Sequence, residues 1–134
     1  MTSKPQINVA LVLKGEGFLP EQITSIIDLK PTATWRAGDP VQGTKLRRKN
    51  DAWVFSLEYR ETYDMDALLR ELLHSLEPYL EKILEVSKAL GLTRELSFGV
   101  YVGQQTPTSW FAADTIRRIA ELEADLDIDL ILTN

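Results

Sequence analysis

Cysteine is absent from this chain of 134 residues, and His74 is its one histidine. The side chains that most often carry nucleophilic, metal or proton-transfer chemistry near neutral pH are therefore almost missing. Disulfide stapling is excluded, and zero cysteine agrees with a reducing compartment. Long apolar runs are also missing. Val9 to Leu13 is among the longest, far short of the roughly 20 residues a bilayer-spanning helix needs, so no membrane helix is expected. The opening Met1-Thr2-Ser3-Lys4-Pro5 leads into a strand-like run without an apolar signal region, which predicts a cytoplasmic protein. A net charge of −5 argues against general nucleic-acid binding, which needs a basic face to neutralise phosphates.

What is present is ordinary globular material. With 44% apolar and 26% charged residues, the chain can fill one core, and a single domain over 1–134 is expected. Gln6 to Lys14 alternates as a strand, and Pro20 with Glu21 opens a short helix to about Asp28 along an Ile23, Ile26 and Ile27 stripe. Thr32 to Arg36 reads as extended. The pattern of Trp53, Phe55, Leu57 and Tyr59 against Val54, Ser56, Glu58 and Arg60 predicts one continuous strand. Asp64 or Asp66 suits the start of a long helix to Leu90 with leucines on one side, interrupted near Ser75 to Glu77 because Pro78 deprives the His74 carbonyl of its partner. Gly91 closes it. Glu95 to Gly103 is a strand, Ala112 to Ala124 a helix, and Leu126 to Leu132 a last strand with leucines opposite Asp127 and Asp129. The order β, α, β, β, long α, β, α, β predicts an α+β two-layer sandwich. Its sheet should be mostly antiparallel or mixed, of about five strands, with helices on one face.

Blocks of residues resemble a known family. Leu19-Pro20-Glu21-Gln22-Ile23-Thr24, Leu29-Lys30-Pro31-Thr32 with Gly38-Asp39, Trp53-Val54-Phe55-Ser56, Thr106-Pro107 and Asp127-Ile128-Asp129-Leu130 occur in order across nearly the whole chain. Together they resemble the bacterial family catalogued as domain of unknown function 4279. Members more often carry an aliphatic-Gly-aliphatic step where this chain has Ile27-Asp28-Leu29, and an aromatic near Ile131. The resemblance implies a small soluble bacterial protein and supplies no catalytic residues; no cofactor is expected.

Sites must then be sought in the residues themselves. Between Lys30 and Lys49 six cations face one acid, Asp39, a local charge of +5 that leaves −10 elsewhere. Within that segment Trp35, Arg36, Arg47 and Arg48 could dock an anionic or planar ligand, through guanidinium groups beside an indole; a hairpin kept soluble by charge explains the same residues. The uncovered sheet face, around Glu58, Tyr101 and Asp127, is a second place for a small molecule or an acid/base pair. Asp125, Asp127 and Asp129 lack the glycine and closing glutamate of a calcium loop. His74 shares its helix face with Arg70, Glu77 and Glu81, a solvated surface. No catalytic set and no metal site emerge.

The expected function is accordingly a non-catalytic binding or protein-interaction module, of a kind that could neutralise a toxin, its partner a protein or an anionic ligand. An enzyme or small-molecule binder using the open sheet face is the alternative. Outward Ala10, Val12, Val54, Gly99, Tyr101 and Ile131 suggest an apolar patch for a homodimer.

Overall fold

The computed structural model describes residues 4–132. Strand β1 (Gln6–Gly15) is central because its odd-numbered residues Ile7, Val9, Leu11 and Leu13 are fully buried while its ends meet turns. Helix α1 (Pro20–Ile27) follows, started by Pro20 and ended by Asp28 in the left-handed region. It buries Ile23 and Ile27, whereas Ile26, expected in the same stripe, is exposed. Strands β2 (Ala33–Trp35), β3 (Asp51–Ser56) and β4 (Arg60–Glu61) come next.

Helices α2 (Met65–Leu76) and α3 (Leu80–Leu90) flank a single 3-10 turn at Glu77–Tyr79. Proline explains the break, since it has no N–H to give the preceding turn. The His74 carbonyl nevertheless finds a donor, the Glu77 N–H, through the tighter turn. Asp64 caps α2 by accepting from the Ala67 N–H at 3.0 Å. Gly91 ends α3 with φ of 66°, a conformation costly for other residues. Strand β5 (Thr93–Val102), helix α4 (Ala113–Glu121) and strand β6 (Asp125–Leu132) complete the fold. Asp66, itself buried, holds the approach to α4 by accepting from the Ala112 N–H at 3.1 Å.

Among the described residues the sheet has six strands, in the order β2-β3-β1-β5-β6 with β4 also on β1. Pairings are antiparallel except β5 with β6, which is parallel. The fold is α+β with a mixed open sheet. Leu69, Leu72, Leu73 and Leu76 of α2 meet β1 residues, Trp53, Leu96, Phe98 and Val100 in one core. Trp53 is wholly buried, and its indole N–H donates to Thr24 Oγ1 at 3.0 Å, tying α1 to the sheet.

The expected continuous strand from Trp53 to Arg60 does not occur. Ala10 faces Ser56, yet Ile7 faces Arg60, so one extra residue sits between the two pairings. That is a β-bulge, and it reverses which side chains face which way. Arg60 turns to the helical side, where its guanidinium forms a two-pronged pair with Glu71 of α2. Tyr59 turns to the other face of the sheet, away from the buried Trp53 and the half-buried Phe55 and Leu57, whose row the alternation predicts it to join. Its hydroxyl lies against Gly99.

Candidate functional site

The basic segment folds as a small hairpin. Gly38 N–H donates to the Arg48 carbonyl and Arg48 N–H to the Asp39 carbonyl, both at 2.8 Å, and Pro40 bridges to Arg47. At its base Asp51, only 4% exposed, accepts from the N–H groups of Ala37 at 2.8 Å and Gly17 at 2.9 Å, and from Arg36 Nε at 3.2 Å. The Ala37 N–H holds the Asp51 carboxyl below the usual aspartate range against the opposing effect of burial, and Gly17 and Arg36 add to the lowering.

The structure thus brings Trp35, Arg36, Arg47 and Arg48 together, and each has work inside the chain. The Arg48 guanidinium sits 3.8 Å from the Trp35 ring centroid, Arg36 is on Asp51, and Arg47 Nη1 donates to the Gly38 carbonyl at 3.1 Å. Trp35 in turn packs on Ala10, Val12, Ala52 and Val54. Ala10, Val12 and Val54 were expected outward and available to a second copy. They do face away from the helices, but the chain's own Trp35 covers them, so they are buried.

Tyr101 stands apart from this group. It lies opposite Gln6 at one end of β1, while Trp35 is in line with Ala52 and Lys14 at the other, roughly 25 Å along the sheet at about 3.3 Å per residue. Its neighbour is Tyr59, ring centroids 5.3 Å apart and planes tilted by 55°. A Cβ on Gly99 would come within 2.8 Å of both Tyr59 Oη and Asn8 Oδ1, so only glycine leaves room for this arrangement without a shift. Burial holds the Tyr59 phenol above the ordinary tyrosine range, and Tyr101 and then Asp129 add to the rise. Glu58 and Asp127 are exposed. Among the described residues, no three of His, Cys, Asp and Glu group as metal ligands.

Among the depressions on the helical side are two beside α2 and α4. One, of about 220 Å³, is lined by Leu73, Leu80, Leu84 and Leu122 with Arg118 and Glu121. The other, wider and shallower, is bordered by Ala67, Arg70, Glu71, His74 and Arg118. Neither contains a residue of the basic hairpin or of the tyrosine pair.

Strand β6 is far more exposed than β1 or β5. Alternation places Leu126, Ile128, Leu130 and Leu132 on the helical side, in register with the buried Leu96, Phe98, Val100 and Val102 of β5. Yet they are 41%, 40%, 61% and 85% exposed. Asp125, Asp127 and Asp129 line the opposite side, also exposed. Among the described residues β6 pairs only with β5, so half of its peptide groups point to an open edge. The alternation is legible in the sequence; that no further strand among the described residues lies beside β6 is a property of the assembled sheet.

The model of a family described as a domain of unknown function, DUF4279, matches residues 5–133. The chain belongs to this DUF4279 family. No curated protein and no solved structure matches it. Within this DUF4279 chain the family description assigns no residue a role, so function rests on the surfaces just described. No helix among the described residues is long and apolar enough to cross a membrane.

Proposed function

We propose that the protein is a non-catalytic protein-interaction module that recruits its partner along strand β6. The observation that carries this reading is the exposed row of Leu126, Ile128, Leu130 and Leu132 beside a strand edge that is unpaired among the described residues. Soluble folds usually blunt such an edge or cover it, and a long apolar one is a template for another chain. Backbone pairing supplies affinity in strand addition, and alternate side chains supply selectivity. The chemistry of the side chains favours the same reading: the aromatic and charged groups of the basic hairpin are engaged within the hairpin and its base, which makes them scaffold for a loop. Neutralising a toxin is one task such a module performs, and the absence of cysteine fits a cytoplasmic setting.

The test is affinity capture from native lysate with three baits: the parent, Ile128→Lys with Leu130→Lys, and Lys45→Glu with Lys49→Glu, which changes the charge of the basic hairpin and spares the arginines that hold it together. The parent and the hairpin variant should retain the same partner, and the β6 variant should lose it. A β6 variant that retains it, or a parent that captures nothing, contradicts the reading.

A further inference from the structure

The two sides of β6 differ in chemistry, and that difference describes what can lie beside it. Asp125, Asp127 and Asp129 project on the side away from the helices. Among the described residues no lysine, arginine or histidine stands within ion-pair distance of any of the three. On the next strand inward, Gly99 faces Asp129 and Tyr101 faces Ile131, and the exposed rings of Tyr59 and Tyr101 rise there. A carboxylate row flanked by aromatic faces suits long cationic side chains, which gain from both. The helical side of the same strand offers only aliphatic carbon.

Self-association through the same edge meets a charge conflict. In an antiparallel pairing with a second copy that keeps both helical layers on one side, directly opposite residues share a face. The registers with the fullest overlap, centred on Ile128 or Asp129, set Asp127 against Asp129 or Asp129 against itself. Like charges directly opposite destabilise a strand pair.

We propose that the segment taken up by β6 is an extended stretch of a partner protein in which lysine or arginine alternates with aliphatic residues, added as the next strand of the sheet. This rests on the interaction reading above and gives the partner its chemistry. The cations stand over Asp127 and Asp129 and reach the Tyr59 and Tyr101 rings; the aliphatic residues extend the row of Ile128 and Leu130.

Three short synthetic peptides probe this: a Lys-Val repeat, a Glu-Val repeat, and the Lys-Val repeat with the amides of one edge N-methylated. Binding is followed by fluorescence anisotropy, and its place by residue-resolved amide hydrogen exchange. The Lys-Val peptide should bind roughly tenfold more tightly than the Glu-Val peptide, the sum of opposite against like pairs at two positions, and should slow exchange in β6. N-methylation should cost at least about tenfold, since charge is kept and pairing lost. Asp127→Lys with Asp129→Lys, on an exposed strand, should reverse the preference. Equal protection of β6 by both repeats overturns the basic-partner inference and leaves the interaction reading standing. Lys-Val binding that ignores N-methylation is mere charge attraction and overturns it too, as does protection of β6 by the protein's own dimerisation as concentration rises. If no peptide and no second copy protects β6, both readings fail.

Discussion

Leu96 and Leu130 offer a matched comparison, the same side chain on adjacent strands and on the same side of the sheet. Leu96 is wholly buried, and Leu130 is 61% exposed. Truncating a buried leucine to alanine typically costs about 3 kcal/mol, through lost transfer free energy and a residual cavity. Leu130 has only about two-fifths of its surface covered and leaves no closed cavity, so Leu130→Ala should cost about 1 kcal/mol or less. For a domain of this size each kcal/mol moves the melting temperature by roughly 3 to 4 °C. Leu96→Ala should therefore melt about 10 °C below the parent and Leu130→Ala within about 4 °C of it. Urea titration followed by tryptophan fluorescence, with Trp53 in the core as reporter, gives the same comparison as free energies. Equal losses at the two positions would refute the reasoning, because they would mean that the outer strand is covered in the folded protein.

Two further perturbations probe the rest of the sheet. Asp51→Asn removes a carboxylate whose folded pKa lies below its ordinary 3.8; its stabilisation is complete above that ordinary value and lost as pH falls through the folded one. The variant should be less stable than the parent at neutral pH, and the gap should close as melting curves are taken into the acidic range; a gap that widens there contradicts the assignment. Gly99→Ala should push Tyr59 off the sheet, since the new Cβ would meet its hydroxyl at 2.8 Å. Released from burial, the Tyr59 phenol should titrate closer to the ordinary tyrosine value, and ultraviolet titration at alkaline pH reads this directly.

Sequence reasoning succeeded where the cause was local. Alternation in β1 and β5 shows which residues enter the core, and Pro78 alone is enough to divide the long helix. The bulge between β3 and β4 depends on how two strands distant in sequence come into register, which no residue between Trp53 and Arg60 announces. Alternation therefore places Tyr59 and Arg60 on the wrong faces. Trp35 shows the same limit: its neighbours Ala10, Val12 and Val54 look outward by alternation, and only the folded chain reveals that an indole from β2 covers them. Of the candidate residues, the hairpin cluster of Trp35, Arg36, Arg47 and Arg48 was legible as a group. Its internal pairing was not, because the Asp51 that anchors Arg36 and the base of the hairpin lies outside the basic run. For β6 the alternation was plain, but alternation names a face without saying whether anything lies on it.

Strand β6 presents an open edge among the described residues, and residue-resolved amide hydrogen exchange on the isolated protein tests this most directly. Amides of β6 that point to β5 should exchange slowly and those between them fast, an alternating pattern along residues 125–132, while β1 and β5 are protected throughout. Uniform protection along β6 at low protein concentration would contradict the claim.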